Sequence, residues 1–559
     1  MKLNRLIIIS AVLFLALSSS QAQQSAKDTG LKAINTAVIQ GQLEFLASDW
    51  TQGRETGTDG AYMAADYIAS MFKVWGLEPG GDMEQKKVAR SFMRSGPPPV
   101  PPIRTYFQYF NLVETYPGET QELSVVTKNK DGFQSIDFGY KTDFTITGGS
   151  TGMTGEVPVV FVGYGLKDDD KGYDDFKGLD LEGKIVVKLS GFPGHNDPDS
   201  KTYAKFKPEV AREDNSQRAR YMRMFGRRGG PSWARERGVL AVITLNPNTD
   251  PTSQWLTNLP VNTEVNGPAR SIRKRLRRME SSLEQASVNF DVTQRVINEL
   301  VSGLDTSFDD LEEKIAETGK PASRVLDGKF IKFKTTINSR MVRVRNVIGV
   351  LEGKDTTNAI VIGGHYDHLG VRDGWVYNGA DDNASGTVGV MTIAKAMIAT
   401  GEKPEKTIIF CAWTGEEKGL IGSGYFVDNH YDYNLLCNLN YDMISRNSPG
   451  EDQDKKISMT FTSTFPLFKD LAEKHNDDYG LDLDISFRGS EQPRGGSDHA
   501  PFARAGIPIF YFMAGFPPEY HKPGDHIELV KWDKMLKIIK LGYLNIYELA
   551  NRSWEEERK

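Results

Sequence analysis

The sequence predicts an α/β chain: a mainly parallel, mixed sheet flanked by helices, with a β-rich segment inserted. Three observations predict it. From Asn346 onward, short apolar runs such as "NAIVIGGHYDHLG", "KTIIFCAWTGEEKGL", "NLLCNLNYDMI" and "IPIFYFMAG" alternate with helix-like segments, the pattern of strands buried on both faces. Residues 145 to 330 instead carry β-like runs between turn signals, among them "GEVPVVFVGYG", "GKIVVKLSGFPG" and "GVLAVITLNP". The chain has 559 residues, and at ~100–200 residues per domain two or three units are expected.

Taken in order, the chain opens on "MKLNRLIIISAVLFLALSSSQAQQ". Lys2 and Arg5 precede an apolar stretch, Leu6 to Leu17, and small residues follow. This reads as a secretory signal peptide cut after Ala22. The apolar run is shorter than the ~20 residues a membrane span needs, which argues against an uncleaved anchor. No later stretch is long and apolar enough to span, so no stable membrane insertion is expected after cleavage. Residues 30 to 80 read as helical, with helical apolar spacing after Gly60. "SGPPPVPPI" (Ser95 to Ile103) excludes helix and central strand, and "TYFQYFNLVETY" alternates like a strand. Within the inserted segment "TQRVINELV" is helical, and "KFIKFKTTINSRMVRVRNVIGVLEG" returns to strand.

Charge and cysteine content exclude several classes. With 68 basic and 74 acidic residues, nothing drives the whole chain toward nucleic acid or anionic membrane. Two basic stretches, Arg218 to Gly230 and Arg270 to Arg278, are read as a solvated helix face or a lid contact rather than a nucleic-acid patch. Cys411 and Cys437 are too few for a disulfide framework. Each sits in an apolar run, which favours buried free thiols over a single bridge.

The chemistry collects late in the chain. Seven of eight histidines lie between His365 and His526. Polar residues follow the apolar strands: His365-Tyr366-Asp367-His368, then Glu416-Glu417, Asp442 and His521. In an open parallel sheet, ligands bind at the carboxyl ends of strands, so these side chains can converge on one crevice. Bunched carboxylates repel one another, but they become sensible around divalent cations. Two Zn²⁺ would be balanced by three carboxylates and one bridging hydroxide. Imidazole and carboxylate donors suit zinc. "GADDNASG", Gly379 to Gly386, places two aspartates before a helix-like run. One of them can bridge two ions while its neighbour and Asn383 fix the turn.

The motifs "GGHYDHLG", "GADDNASG", "TGEEKGLIGS", "NYDMI", "GSDHAPF" and "HKPGDH" together resemble the co-catalytic dizinc aminopeptidase family, which also holds glutamate carboxypeptidases and glutaminyl cyclases. The likeness extends to "LASDWTQGRETGTDG" and "YFQYFNL". Residues 145–335 resemble the protease-associated (PA) domain often inserted in such enzymes, in "GYGLKDDDKGYDDFKGLDLEGKIVVKLSG" and "ARERGVLAVITLNP". The resemblance implies a phosphorylase/hydrolase-like zinc peptidase fold with these parts: a leader at 1–22, the start of the peptidase domain at 23–144, the PA-like insertion at 145–335, and the catalytic domain at 336–559. It implies two Zn²⁺ per chain. Asp381 is the implied bridge, with His365 and Asp442 at one zinc and Glu417 and His521 at the other. Glu416 is the implied general base. Asp367 orients His365, Asp382 follows Asp381 through a cis peptide, and Asp525 supports His521. Asp498 and His499 are candidates for supporting or substrate contacts, with His368 evenly balanced against a structural role. Arg494 stands where some members of the family carry an oxyanion-steadying tyrosine. It is weighed as a carbonyl-polarising or substrate-binding group against an ordinary loop cation.

The implied activity is that of an exported zinc aminopeptidase, periplasmic or extracellular. It would release N-terminal residues from peptides with a free N-terminus, by attack of a dizinc-bound hydroxide. A carboxypeptidase or glutaminyl cyclase on the same scaffold is the alternative, followed by a non-catalytic binding protein on the peptidase fold. The preferred N-terminal residue and the oligomeric state are not fixed by any motif.

Overall fold

A computed structural model describes residues 25–85, 101–130, 132–148, 151–207, 232–245, 275–278, 288–372, 374–429, 433–451 and 453–553. The leader read at 1–22, most of Ser95 to Ile103, and the basic stretch Arg218 to Gly230 lie outside the described residues. The chain divides into two compact units, Met1–Asn111 with Val342–Lys559, and Leu112–Met341.

Helices α1 (Thr36–Leu46) and α2 (Asp59–Trp75) lie early in the first unit. Asn35 caps α1 by accepting from the Val38 amide, one of the donors a helix start leaves unmet. Gly76, at φ 91°, ends α2 in the left-handed turn that glycine adopts without strain. The buried face of α2 is Ala61, Ala64, Ala65, Ile68 and Phe72, spaced as a helix stripe requires.

The second unit begins in β1 (Phe107–Asn129), which pairs antiparallel with β2 (Gly132–Phe138). Its compact boundary at Leu112 precedes the expected 145, because Leu123 and Val125 of β1 belong to this unit's core. The strands β3 (Phe144–Gly148), β4 (Met153–Phe161), β5 (Ile185–Leu189) and β6 (Ala241–Leu245) follow. Then come β7 (Arg275–Arg278), β8 (Val288–Val292), α3 (Gln294–Val301), α4 (Phe308–Thr318) and β9 (Arg324–Leu351). The main sheet runs β9-β4-β5-β6-β8-β3, with β4, β5, β6 and β8 parallel. Val159, Ile185, Val187 and Ile243 fill one face, while Val160, Val186 and Val242 fill the other. The described end of the second basic stretch is strand β7, paired with β1, and not a helix face. Backbone pairing, with Leu276 turned inward, decides its conformation.

The first unit resumes at Val342. Its elements are β10 (Asp355–His365), α5 (Gly386–Ala399), β11 (Lys406–Trp413), α6 (Ile421–Asp428), β12 (Asn434–Tyr441), β13 (Lys456–Thr462), α7 (Leu467–Asp478), β14 (Asp484–Ser490), α8 (His499–Arg504), β15 (Ile509–Met513) and α9 (Trp532–Asn551). The sheet order is β14-β13-β15-β12-β10-β11-β9. The central strands β11, β10, β12 and β15 are mutually parallel, and β9 and β13 flank them antiparallel. This is the mixed, mainly parallel α/β sheet that the sequence predicts. Ile360, Ile362, Phe410 and Leu439 face one layer, and Val361, Ile409, Trp413 and Phe502 the other. Cys411 and Cys437 lie on opposite faces as buried free thiols. Among the described residues no helix is long and apolar enough to cross a membrane.

Candidate metal centre

Parallel strands that end level with one another bring their following residues together. His365 closes β10 in register with Trp413, the last residue of β11. Glu416 and Glu417 follow within four residues, Asp442 directly follows β12, and His521 lies beyond the end of β15. The turn Ala380–Ser385 leads into α5 and completes the cluster. Gly379 opens that turn at φ 57°, where an added Cβ would meet Asp382 O at 2.2 Å and the His368 ring at 2.5 Å. Both the torsion and the space demand glycine.

The carboxylate between the imidazoles is Asp382. Its Oδ1 is 3.6 Å from His365 Nε2, and its Oδ2 is 3.0 Å from His521 Nε2. Asp442 Oδ1 lies 3.5 Å from His365 Nε2, and Glu417 Oε1 lies 3.1 Å from His521 Nε2. Two donor groups close enough to hold an ion result: His365, Asp382 and Asp442, and His368, Asp382 and Glu417. His365 and Asp382 are 1% and 3% exposed. Asp382 Oδ2 and Asp442 Oδ1 are buried without a hydrogen bond, the state of donors made for a cation rather than a proton.

Asp381 does not occupy the bridging place expected of it. Its Oδ1 accepts from the Ser445 amide at 2.8 Å and the Ser445 hydroxyl at 2.7 Å. It therefore fastens the turn to the segment after Asp442. The cis peptide is Asp382–Asn383, one residue later than expected. Asp525 likewise acts elsewhere than on His521. Its carboxylate accepts from the amides of Asp381 at 3.0 Å and of Asp382 at 3.0 Å, so it holds the turn by its main chain. Asn383 Oδ1 accepts from the Gly386 and Met443 amides, tying the start of α5 to the strand end of Asp442.

Asp367 orients His365 through its main chain, not its side chain. His365 Nδ1 faces the Asp367 carbonyl oxygen at 3.1 Å, whereas the Asp367 carboxylate is 3.8 Å away. Donation from Nδ1–H to that carbonyl leaves Nε2 as a lone pair toward Asp382 and Asp442. The carboxylate instead accepts from the amides of Glu416 at 3.1 Å and Glu417 at 3.3 Å. It thereby sets both glutamates in place. Glu416 Oε2 is 3.9 Å from His365 Nε2.

The electrostatics express an acidic, water-poor site. Burial, reinforced by the charge of Glu417, pushes Asp382 up to about 7. Burial and the neighbouring Asp525 push Asp381 up to about 8. Burial raises Glu416 well above the usual carboxylate range, with Glu417 and Asp442 adding to it. For His365 burial works downward, but Glu416 and Asp442 outweigh it and hold the imidazole well above its ordinary value. Burial also works down on His521, and Glu417 and Asp382 lift it to about 9. Asp381, Asp382 and Glu416 thus resist ionisation beside two imidazoles, His365 and His521, that attract protons, which marks a place short of positive charge.

The remaining candidates divide. Asp498 is fully buried and pushed up to about 7 by that burial, and the charge of His365 opposes the rise. His499 is buried and stacked on Tyr511, ring centroids 4.5 Å apart. Arg494 is exposed. His368 joins the cluster, with Nδ1 3.1 Å from Glu417 Oε1.

Sequence reasoning missed Arg54 and Thr56. Arg54 is 0% exposed. Its guanidinium donates to the carbonyls of Tyr366 at 2.7 Å, Asn378 at 2.7 Å and Gly379 at 2.9 Å, and also to Leu46. One planar fork thus braces the loops that carry His365 and Asp382. Thr56 Oγ1 donates to Asp367 Oδ2 at 2.8 Å. The available signal was a charged residue inside the glycine-rich "QGRETG". Arg54→Lys cannot reproduce the fork. It leaves carbonyls unmet at about 1–3 kcal/mol each, so urea unfolding should show a loss on the order of 3 kcal/mol.

Residues 346–543 match the profile of peptidase family M28. The matched segment carries His365, His368, Asp382, Glu417, Asp442 and His521. The chain is 32% identical over 205 residues to leucine aminopeptidase 2 of Arthroderma otae (strain ATCC MYA-4605 / CBS 113480), covering 35% of this chain and 38% of that protein. It is 34% identical over 176 residues to leupeptin-inactivating enzyme 1 of Streptomyces exfoliatus, covering 30% of this chain and 36% of that one. The chain thus spans little more than a third of the length of these relatives. The fold is shared with an aminopeptidase from Aneurinibacillus sp. strain AM-1, at TM-score 0.54 and 18% identity over 94% of this chain and 97% of that one.

Proposed function

We propose that the protein is an exported zinc aminopeptidase, holding two Zn²⁺ and releasing N-terminal residues from peptides with a free N-terminus. The observation that carries this reading is Asp382, whose two oxygens each face a different imidazole. A carboxylate so placed can bridge two cations. His365 and Asp442 would complete one site, and Glu417 and His521 the other. When bound, the pair of ions supplies a nucleophilic hydroxide near neutral pH and polarises the scissile carbonyl. Glu416 Oε2, on the His365 side, takes the proton of the attacking water and passes it to the leaving amine. Asp367 holds Glu416 by its amide so that its carboxylate stays directed into the site. Residues 145–335 are read as the PA-like insertion, within the unit Leu112–Met341, and residues 1–22 as the leader that directs export.

The test is hydrolysis of a panel of aminoacyl chromogenic substrates by the full chain. Activity should vanish with a chelator, return with zinc, and be absent on the same peptides blocked at the N-terminus. Cleavage of the blocked peptides would instead favour the carboxypeptidase reading. Bound zinc near one equivalent would favour the cyclase reading.

A further inference from the structure

Four donor atoms converge on the second metal position, and one of them belongs to none of the roles assigned above. His368 is 0% exposed. Its Nε2 has no hydrogen-bond partner, and its Nδ1 faces carboxylate oxygens, Glu417 Oε1 nearest at 3.1 Å. A neutral imidazole has one N–H to give and one lone pair to fill, so a buried ring that meets its surroundings at one nitrogen alone requires an explanation.

The distances supply one. His368 Nδ1 is 3.1 Å from Glu417 Oε1 and 3.7 Å from Asp382 Oδ2. His521 Nε2 is 3.1 Å and 3.0 Å from the same two oxygens. The two imidazole rings stand edge to face, centroids 5.8 Å apart. Zinc held tetrahedrally at ~2.0–2.2 Å spaces its donors roughly 3.3–3.6 Å apart. The four measured edges, 3.0 to 3.7 Å, bracket that spacing. Gly379 presses close against the His368 ring, leaving no room for a Cβ between them, so the ring is fixed where it stands. The other position differs. His365, Asp382 and Asp442 give three donors, and the next group, Glu416 Oε2, is 3.9 Å from His365 Nε2.

We propose that His368 binds the second metal ion directly through Nδ1. That site then draws on His368 beside Asp382, Glu417 and His521. The two ions are therefore unequal: the one with the added imidazole is held more tightly, and the other exchanges more readily. This inference rests on the two-zinc reading above and goes beyond its five donors.

The test uses the full chain, stripped of metal and titrated with zinc against a competing chelator, with bound metal counted directly. The wild type should take two ions of distinct affinity. His368→Gly should weaken the tighter one by about 100-fold or more, and free imidazole should restore it. In the cobalt(II)-loaded protein, His368→Gly should change the visible spectrum of the wild type, and free imidazole should restore it. Two ions bound by His368→Gly with wild-type affinities would overturn the role of His368 and leave the two-zinc reading standing. Fewer than two ions in the wild type would overturn the two-zinc reading, and the effect of His368→Gly on the remaining ion would still decide the role of His368. Should His368→Gly not fold, His368→Gln takes its place in the same titration, and wild-type affinity for both ions there refutes the proposal.

Discussion

Asp382→Ala should empty both metal positions, whereas Asp381→Asn should empty neither. The two aspartates are adjacent and both buried, yet their surroundings are opposite. Asp382 presents one oxygen to His365 and the other to His521. Removing it takes a donor from each site and leaves His365, Asp442, Glu417 and His521 with no group between them. Metal analysis should fall from two equivalents to well below one. Turnover should fall by at least about 10³-fold, as several kcal/mol of charge stabilisation disappear. Asp381 instead accepts two hydrogen bonds from Ser445 at one oxygen, and an asparagine carbonyl can accept the same two. The substitution also removes a charge that Asp525 opposes. Zinc content should therefore stay near two, and stability within about 1 kcal/mol of wild type. Loss of both ions from Asp381→Asn would show that the bridge had been assigned to the wrong residue.

That one-residue displacement marks the limit of what the sequence makes legible. The strands were readable because β10, β11, β12 and β15 are buried on both faces, and such strands are written as unbroken apolar runs. His365, Glu416, Glu417 and Asp442 were readable for the same reason, since each lies within a few residues of the end of such a run. Asp381 and Asp382 sit in an irregular turn, where Asp382 has φ −104° and ψ 99° inside an otherwise helical stretch. No side-chain period applies there, so adjacency says nothing about which carboxylate points inward. Asp367 and Asp525 were placed in the right neighbourhood with the wrong partners. Both bind main-chain amides of neighbouring loops, and main-chain donors leave no mark in a sequence. Arg54 contacts Tyr366 across 312 positions, through carbonyls that any residue would offer. The start of the second unit at Leu112 was hidden because β1 continues as a single strand through that boundary.

Glu416→Gln should keep both metal ions and lose most of the turnover. The substitution preserves the size of the side chain and the Glu416 amide that donates to Asp367. Glu416 belongs to neither donor group, so metal analysis should match wild type. What the amide cannot do is accept a proton. General-base assistance is worth ~10²–10⁴-fold, and kcat should fall by that factor, with KM changed far less because the binding donors are untouched. Burial holds this carboxyl well above the usual range, with His365 opposing the rise. Divalent charge at the neighbouring donors opposes it further, bringing the group back toward a carboxylate that can work as a base. Glu417→Gln provides the contrast. Glu417 Oε1 faces both His521 and His368, so that variant should lose metal as well as rate. Zinc content measured beside kcat separates the two glutamates, and a Glu416→Gln enzyme with full activity would remove Glu416 from the reaction while leaving the metal centre in place.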